Sequence, residues 1–125
     1  MSVRAAVRVT RNFERNLDGI EAFLTRAEAP GAFAALLDEL ADMLVPTLER
    51  HPDIGRDFLA RITDSAEAEL CIERVHHLLH GLDASASLRE YVMAHYLVLY
   101  AHVTDTVYLL SIRHQRQSVF DVTLR

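Results

Sequence analysis

The sequence is 125 residues long, 50% hydrophobic and 25% charged, the balance of one globular domain with a core of its own. All 13 basic residues are arginine, so Schiff-base and general-base chemistry on lysine is excluded. A net charge of −5 lacks the basic footprint of a nucleic-acid binder, and direct nucleic-acid binding is not expected.

Residues 3–10 alternate Val3, Ala5, Val7 and Val9 with Arg4, Ala6, Arg8 and Thr10, the period of a half-buried strand. Arg4, Arg8 and Arg11 also break up any continuous apolar run of the kind a signal peptide needs. From about Asn12 the period becomes helical, with Phe13, Leu17, Ile20, Leu24 and Ala27 at steps of three and four. Pro30-Gly31 ends that helix, and a second stripe runs through Phe33, Leu36, Leu37, Leu40, Leu44 and Leu48. Pro46 should kink the second helix about one turn earlier. Two amphipathic helices joined by so short a turn form an antiparallel hairpin, whose apolar side needs a sheet to cover it.

His51-Pro52-Asp53-Ile54-Gly55 breaks the helix, because Pro52 disfavours helical dihedrals at His51 and Gly55 permits a turn. Asp64 and Glu67 form a capping pattern ahead of Ala68, Ile72, Val75, Leu79 and Leu82. This predicts a third helix over about 65–80, stopped by Gly81. L-R-E-Y at 88–91, Y-L-V-L-Y at 96–100 and T-V-Y-L-L-S-I at 106–112 then read as three consecutive strands. Tyr96 to Ala101 is apolar on both faces, as a central strand would be. The fold class is therefore α+β: an N-terminal strand, a helical hairpin plus an extra third helix, and a three-strand antiparallel meander. The helices are expected on one face of a roughly four-stranded sheet.

No run approaches the roughly 20 apolar residues of a membrane span, and Cys71 alone permits no internal disulfide, so a cytoplasmic location is the default expectation. Glu73/His77 and His76/His80 have ligand spacing on a helix, but no second ligand set accompanies them. They are read as a polar helix face, and neither metal nor cofactor is expected. Tyr91, Tyr96, Tyr100 and Tyr108 are read as sheet packing with their hydroxyls near the rim. Without a G-x-S-x-G elbow, serine hydrolase chemistry has no support. What folding a sheet does not require is the strip R-H-Q-R-Q at 113–117 on the end of the last strand. Arg89, Arg113, His114 and Arg116 are thus candidates for a contact surface, against the alternative of solvated strand ends.

The string H-P-D-I-G-R-D-F after a helical hairpin, followed by L-R-E-Y, Y-L-V-L-Y and V-Y-L-L-S-I-R-H-Q-R-Q, resembles the RelE/ParE superfamily of type II toxin–antitoxin toxins. The resemblance covers residues 1–125 as a single domain, with about 60–86 as an inserted helical segment. It implies a compact α+β toxin encoded beside an antitoxin that neutralises it. RelE-like members cut mRNA in the ribosomal A site, whereas ParE-like members inhibit DNA gyrase without a nuclease centre.

A ribonuclease of this type uses basic groups and a C-terminal tyrosine to activate the 2′-hydroxyl and stabilise the phosphorane. Lined up on the Y-L-V-L-Y strand, the two lysine positions fall on Leu88 and Glu90 and an arginine position on Leu97. His114 stands at another arginine position, and Phe120 takes the place of the tyrosine. A carboxylate at Glu90 repels a phosphate, the leucines cannot donate to it, and Phe120 cannot transfer a proton. The resemblance therefore implies a ParE-like toxin, of the plasmid stabilisation type, that acts on DNA gyrase by protein–protein contact and is not an enzyme. Two alternatives stay open: a RelE-like mRNA endoribonuclease relying on His114, Arg113 and Arg116, and a degenerate non-toxic member that only binds antitoxin. A groove between hairpin and sheet, or an open sheet edge, would suit the antitoxin or, in its absence, a homodimer.

Overall fold

The fold is that of a computed structural model, and it is described for residues 4–58, 73 and 86–116. Strand β1 (Ala6–Val9) leads into α1 (Arg11–Arg26), where the Thr10 hydroxyl caps the helix by accepting the Phe13 N–H at 3.3 Å. Glu28 adopts a positive φ of 57° just past the end of α1, and α2 (Pro30–Glu39) starts with proline in its first turn. The expected kink before Pro46 takes the form of a π-helical turn over Leu40–Leu44, closed by the Val45 N–H donating to the Leu40 carbonyl. Because Pro46 has no N–H to offer one turn back, the wider turn absorbs the break before α3 (Val45–Arg50) continues.

Among the described residues the remaining elements are strands: β2 (Arg56–Asp57), β3 (Ser87–Val92), β4 (Tyr96–Val103) and β5 (Thr106–His114). They form one five-stranded sheet in the order β1-β5-β4-β3-β2. The predicted meander β3-β4-β5 is antiparallel, and β4 is the central strand, buried on both faces. The fifth strand is β2, whose two residues are too few to show a period and which pairs Arg56 with Glu90 and Asp57 with Arg89. At the other edge β1 runs parallel to β5, which makes the sheet mixed. The expected third helix over about 65–80 lies outside the described residues, Glu73 excepted, as do Cys71, His76, His77, His80 and Phe120. Among the described residues no helix is long and apolar enough to cross a membrane.

The described helices cover one face of the sheet, as their stripes predict. Phe13, Leu36, Leu40, Leu44 and Leu48 pack with Val98, Tyr100, Val107, Leu109 and Ile112. The other face carries a second apolar cluster of Phe58, Leu88, Leu97, Leu99, Ala101 and Leu110. Beyond the end of β1, polar side chains at the start of α1 continue the pairing along the edge of β5. Thr10 Oγ1 donates to the Leu109 carbonyl at 2.8 Å and Asn12 Nδ2 to the Leu110 carbonyl at 2.9 Å. Asn16 Oδ1 accepts the Ser111 hydroxyl at 2.8 Å and the Ile112 N–H at 3.1 Å. Two of those bonds, at the Leu110 carbonyl and the Ile112 N–H, give side-chain partners to backbone groups past the end of β1, and together the four fix the strand that ends in the cationic strip.

Candidate interaction site

Besides Arg8 on β1, arginine appears at two places in the sheet, the β2–β3 edge and the tip of β5. At the first, the loop 51–55 lies against β3 and β4 and is held by side chains distant in sequence. The Tyr100 hydroxyl accepts the Gly55 N–H and donates to the Pro52 carbonyl, both at 2.8 Å. It is fully buried, so the expectation of a hydroxyl near the sheet rim fails here: the ring is packed in the core and its polar end meets a loop instead of water. Burial, first of all, pushes the Tyr100 hydroxyl pKa up, and the hydrogen bond from Gly55 and the charge of Arg89 partly oppose that rise. Gly55 is demanded by this close approach. A Cβ there would sit 2.7 Å from the Tyr100 hydroxyl and 2.9 Å from the Glu90 carbonyl.

Arg89 joins the same arrangement. Its Nη1 donates to the carbonyls of Gly55 at 2.7 Å and Asp53 at 3.0 Å, while Nε donates to Ser87 Oγ at 2.7 Å and lies 3.3 Å from Asp53 Oδ1. Asp53 Oδ1 is also 2.7 Å from His102 Nδ1, and His102 Nε2 is 2.8 Å from the Thr104 carbonyl. On the opposite face Glu90 is buried, and its Oε1 accepts from Arg56 Nε at 2.7 Å and Nη2 at 2.6 Å. A carboxylate in that position is tolerable because two charge-assisted bonds compensate its lost hydration.

The tip of β5 is built differently. His114 stands opposite Tyr96 in the β4–β5 register, and the two rings meet edge to face at 5.4 Å. Burial pushes the Tyr96 hydroxyl pKa up. His114 Nδ1 accepts the Arg116 N–H at 3.1 Å, which curls the chain back at the end of the strand. Gln115 binds the β3–β4 turn, its Nε2 donating to the Met93 carbonyl at 2.7 Å and its N–H to the His95 carbonyl at 3.0 Å. Arg113 is 8% exposed and lies opposite Leu97, whereas Gln115 and Arg116 are exposed.

The four candidate contact residues therefore do not form one patch. Arg89, on β3, pairs across from Tyr100 and shares its face, while Arg113 pairs with Leu97 on the other face and lies on β5, two strands away. Arg113, His114 and Arg116 are adjacent at the strand tip, but Arg113 is buried. Leu88 and Leu97 both belong to the second apolar cluster. Sequence reading missed the roles of Tyr100, Gly55, Asp53, His102 and Arg56 in pinning the loop. The P-D-I-G-R string signalled a special turn, yet its partners lie 34 or more residues away.

A family model described as the ParE toxin of the type II toxin–antitoxin system parDE matches residues 7–119. None of the curated proteins matches the chain. The match extends from β1 past the tip of β5, taking in every described strand and helix from Val7 onward. With the α+β sheet and its helical hairpin agreeing with the fold that the resemblance implied, the chain belongs to the ParE toxin family of type II toxin–antitoxin systems.

Proposed function

We propose that this toxin acts by protein–protein contact, with DNA gyrase as its target and a cognate antitoxin as its neutralising partner, and that it does not cut RNA. The observation that carries this reading is the second apolar cluster. Leu88 and Leu97 occupy two positions where the ribonuclease members of the superfamily have cations, and both are buried among Phe58, Leu99 and Leu110. Glu90, at a third such position, is buried against Arg56. A scissile phosphate brought to that face would meet hydrocarbon and a carboxylate at those three positions, and of the arginines described there Arg56 is engaged by Glu90 and Arg113 is 8% exposed.

The contact surface is assigned to His114 and Arg116 at the tip of β5, with Gln115 fixing the tip to the β3–β4 turn and Arg113 supporting it from behind. Arg89 is assigned to holding the 51–55 loop. Arginine suits such a surface because its planar guanidinium meets carboxylates with two parallel hydrogen bonds.

Purified toxin added to a gyrase supercoiling assay should inhibit supercoiling, and the antitoxin should restore it. Unaltered supercoiling with antitoxin shown to be absent would remove gyrase as the target. Cleavage of ribosome-bound mRNA that disappears in His114→Ala would replace the contact mechanism by a nuclease.

A further inference from the structure

The His102 ring has an acceptor at each nitrogen. Nδ1 lies 2.7 Å from the Asp53 carboxylate and Nε2 2.8 Å from the Thr104 carbonyl. Neither partner atom carries a hydrogen, and a neutral imidazole has a single N–H. With one proton the ring satisfies one partner and turns a lone pair toward the other; with two it donates to both. The two partners belong to different loops. Asp53 is in the 51–55 loop, and Thr104 is in the two-residue turn between β4 and β5. Thr104 adopts φ 55°, a left-handed conformation that a β-branched side chain disfavours and that surrounding contacts must hold.

We propose that His102 is a proton-dependent brace. As the imidazolium it ties the 51–55 loop to the β4–β5 turn, and it releases one of them when the ring loses a proton. Two charged groups lie around it: Asp53, which the ring touches, and Arg89, whose Nε is 3.3 Å from the same Asp53 oxygen. Tyr100 lies two residues away on the same strand and is neutral at moderate pH, since burial holds its proton. Asp105 sits in the turn itself, where it accepts the Thr106 hydroxyl at 3.2 Å. Across the sheet His102 is flanked by Ser87 and Val107, which carry no charge. The sign follows: the brace is complete while Asp53 is a carboxylate and the ring is charged, and it weakens as rising pH removes the second proton. Arg89 and Tyr100 still hold the loop, so release loosens it without unfolding the sheet.

The test is ¹⁵N NMR of the histidine rings together with amide exchange at Ile54 and Gly55, on the whole chain over a pH series. In the low-pH form both His102 nitrogens should be protonated. Protection of the two amides, corrected for intrinsic exchange, should fall about tenfold over the pH range in which the ring loses a proton, the worth of one charge-assisted hydrogen bond. Asp53→Asn supplies a side-chain amide that can donate to Nδ1 of a neutral ring, so its protection should no longer vary with pH. His102→Gln removes the titration and should also abolish the dependence. A ring holding one proton at every pH where the fold persists would overturn the proposal. So would a pH dependence that survives in His102→Gln.

Discussion

At the β2–β3 edge, Arg56 and Arg89 are engaged by Glu90, Asp53 and the carbonyls of the 53–55 segment. At the tip of β5, by contrast, Arg116 is exposed, and the bonds around it run through its own backbone and the side chains of His114 and Gln115. Both places read as cationic in the sequence, so charge alone does not separate a residue that holds the fold from one that meets a partner. The difference lies in what the chain itself supplies. A guanidinium with carbonyls and a carboxylate within hydrogen-bond distance contributes to stability, whereas an exposed one contributes little until a partner brings the acceptors.

Substitution should drive the two regions apart. The largest effect is expected at Gly55→Ala, since the added methyl would lie 2.7 Å from the Tyr100 hydroxyl and 2.9 Å from the Glu90 carbonyl. Backbone cannot withdraw as a flexible side chain can, so overpacking should cost about 2–3 kcal/mol in urea unfolding. A loss below about 0.5 kcal/mol would mean that the loop is free to move off the sheet.

Tyr100→Phe comes next. It leaves the Gly55 N–H and the Pro52 carbonyl without the hydroxyl, for a loss of about 1–2 kcal/mol. The same variant tests the alkaline limb of stability. An acid whose folded pKa is raised binds more protons folded than unfolded, so stability falls once pH rises through the unfolded value near 10.0. That fall continues until the folded group ionises too. Tyr100→Phe should flatten this limb while lowering stability at neutral pH. Arg89→Ala is expected to cost less, about 1 kcal/mol, because a quarter of its side chain remains in water. Its energy should be non-additive with Asp53→Ala in a double-mutant cycle.

The elements legible in the sequence were those whose pattern is local. The segment L-R-E-Y and the apolar runs Y-L-V-L-Y and T-V-Y-L-L-S-I gave the meander, and the leucine stripe from Leu36 to Leu48 gave the helix face that packs on it. Pro46 announced a break, but its form, a π-helical turn at Leu40–Leu44, depended on how neighbouring carbonyls found donors. Strand β2 escaped because two residues show no alternation. The roles of Arg89 and Tyr100 escaped for a different reason. Their partners are set by the register of β3 on β4 and by where the 51–55 loop lands, neither of which any local window contains. At the β5 tip the sequence put Arg113, His114 and Arg116 together at the end of the strand, while the burial of Arg113 became visible only through its pairing with Leu97.

The smallest effect on stability, and the sharpest contrast with the β2–β3 edge, is expected at Arg116. Its side chain is exposed, and the bond that curls the strand end comes from its backbone N–H to His114 Nδ1, which Arg116→Ala retains. Unfolding free energy should therefore change by no more than about 0.5 kcal/mol. Inhibition of the target should nevertheless weaken, by about tenfold if one bidentate contact to a carboxylate is lost. Arg116→Lys separates charge from geometry: a compact ammonium keeps the attraction but not the paired hydrogen bonds, so it should restore only part of the activity. If Arg116→Ala inhibits as well as the parent chain while Arg89→Ala, still folded, does not, the roles of the two regions are reversed. The contact surface then belongs to the 51–55 loop and the edge that holds it.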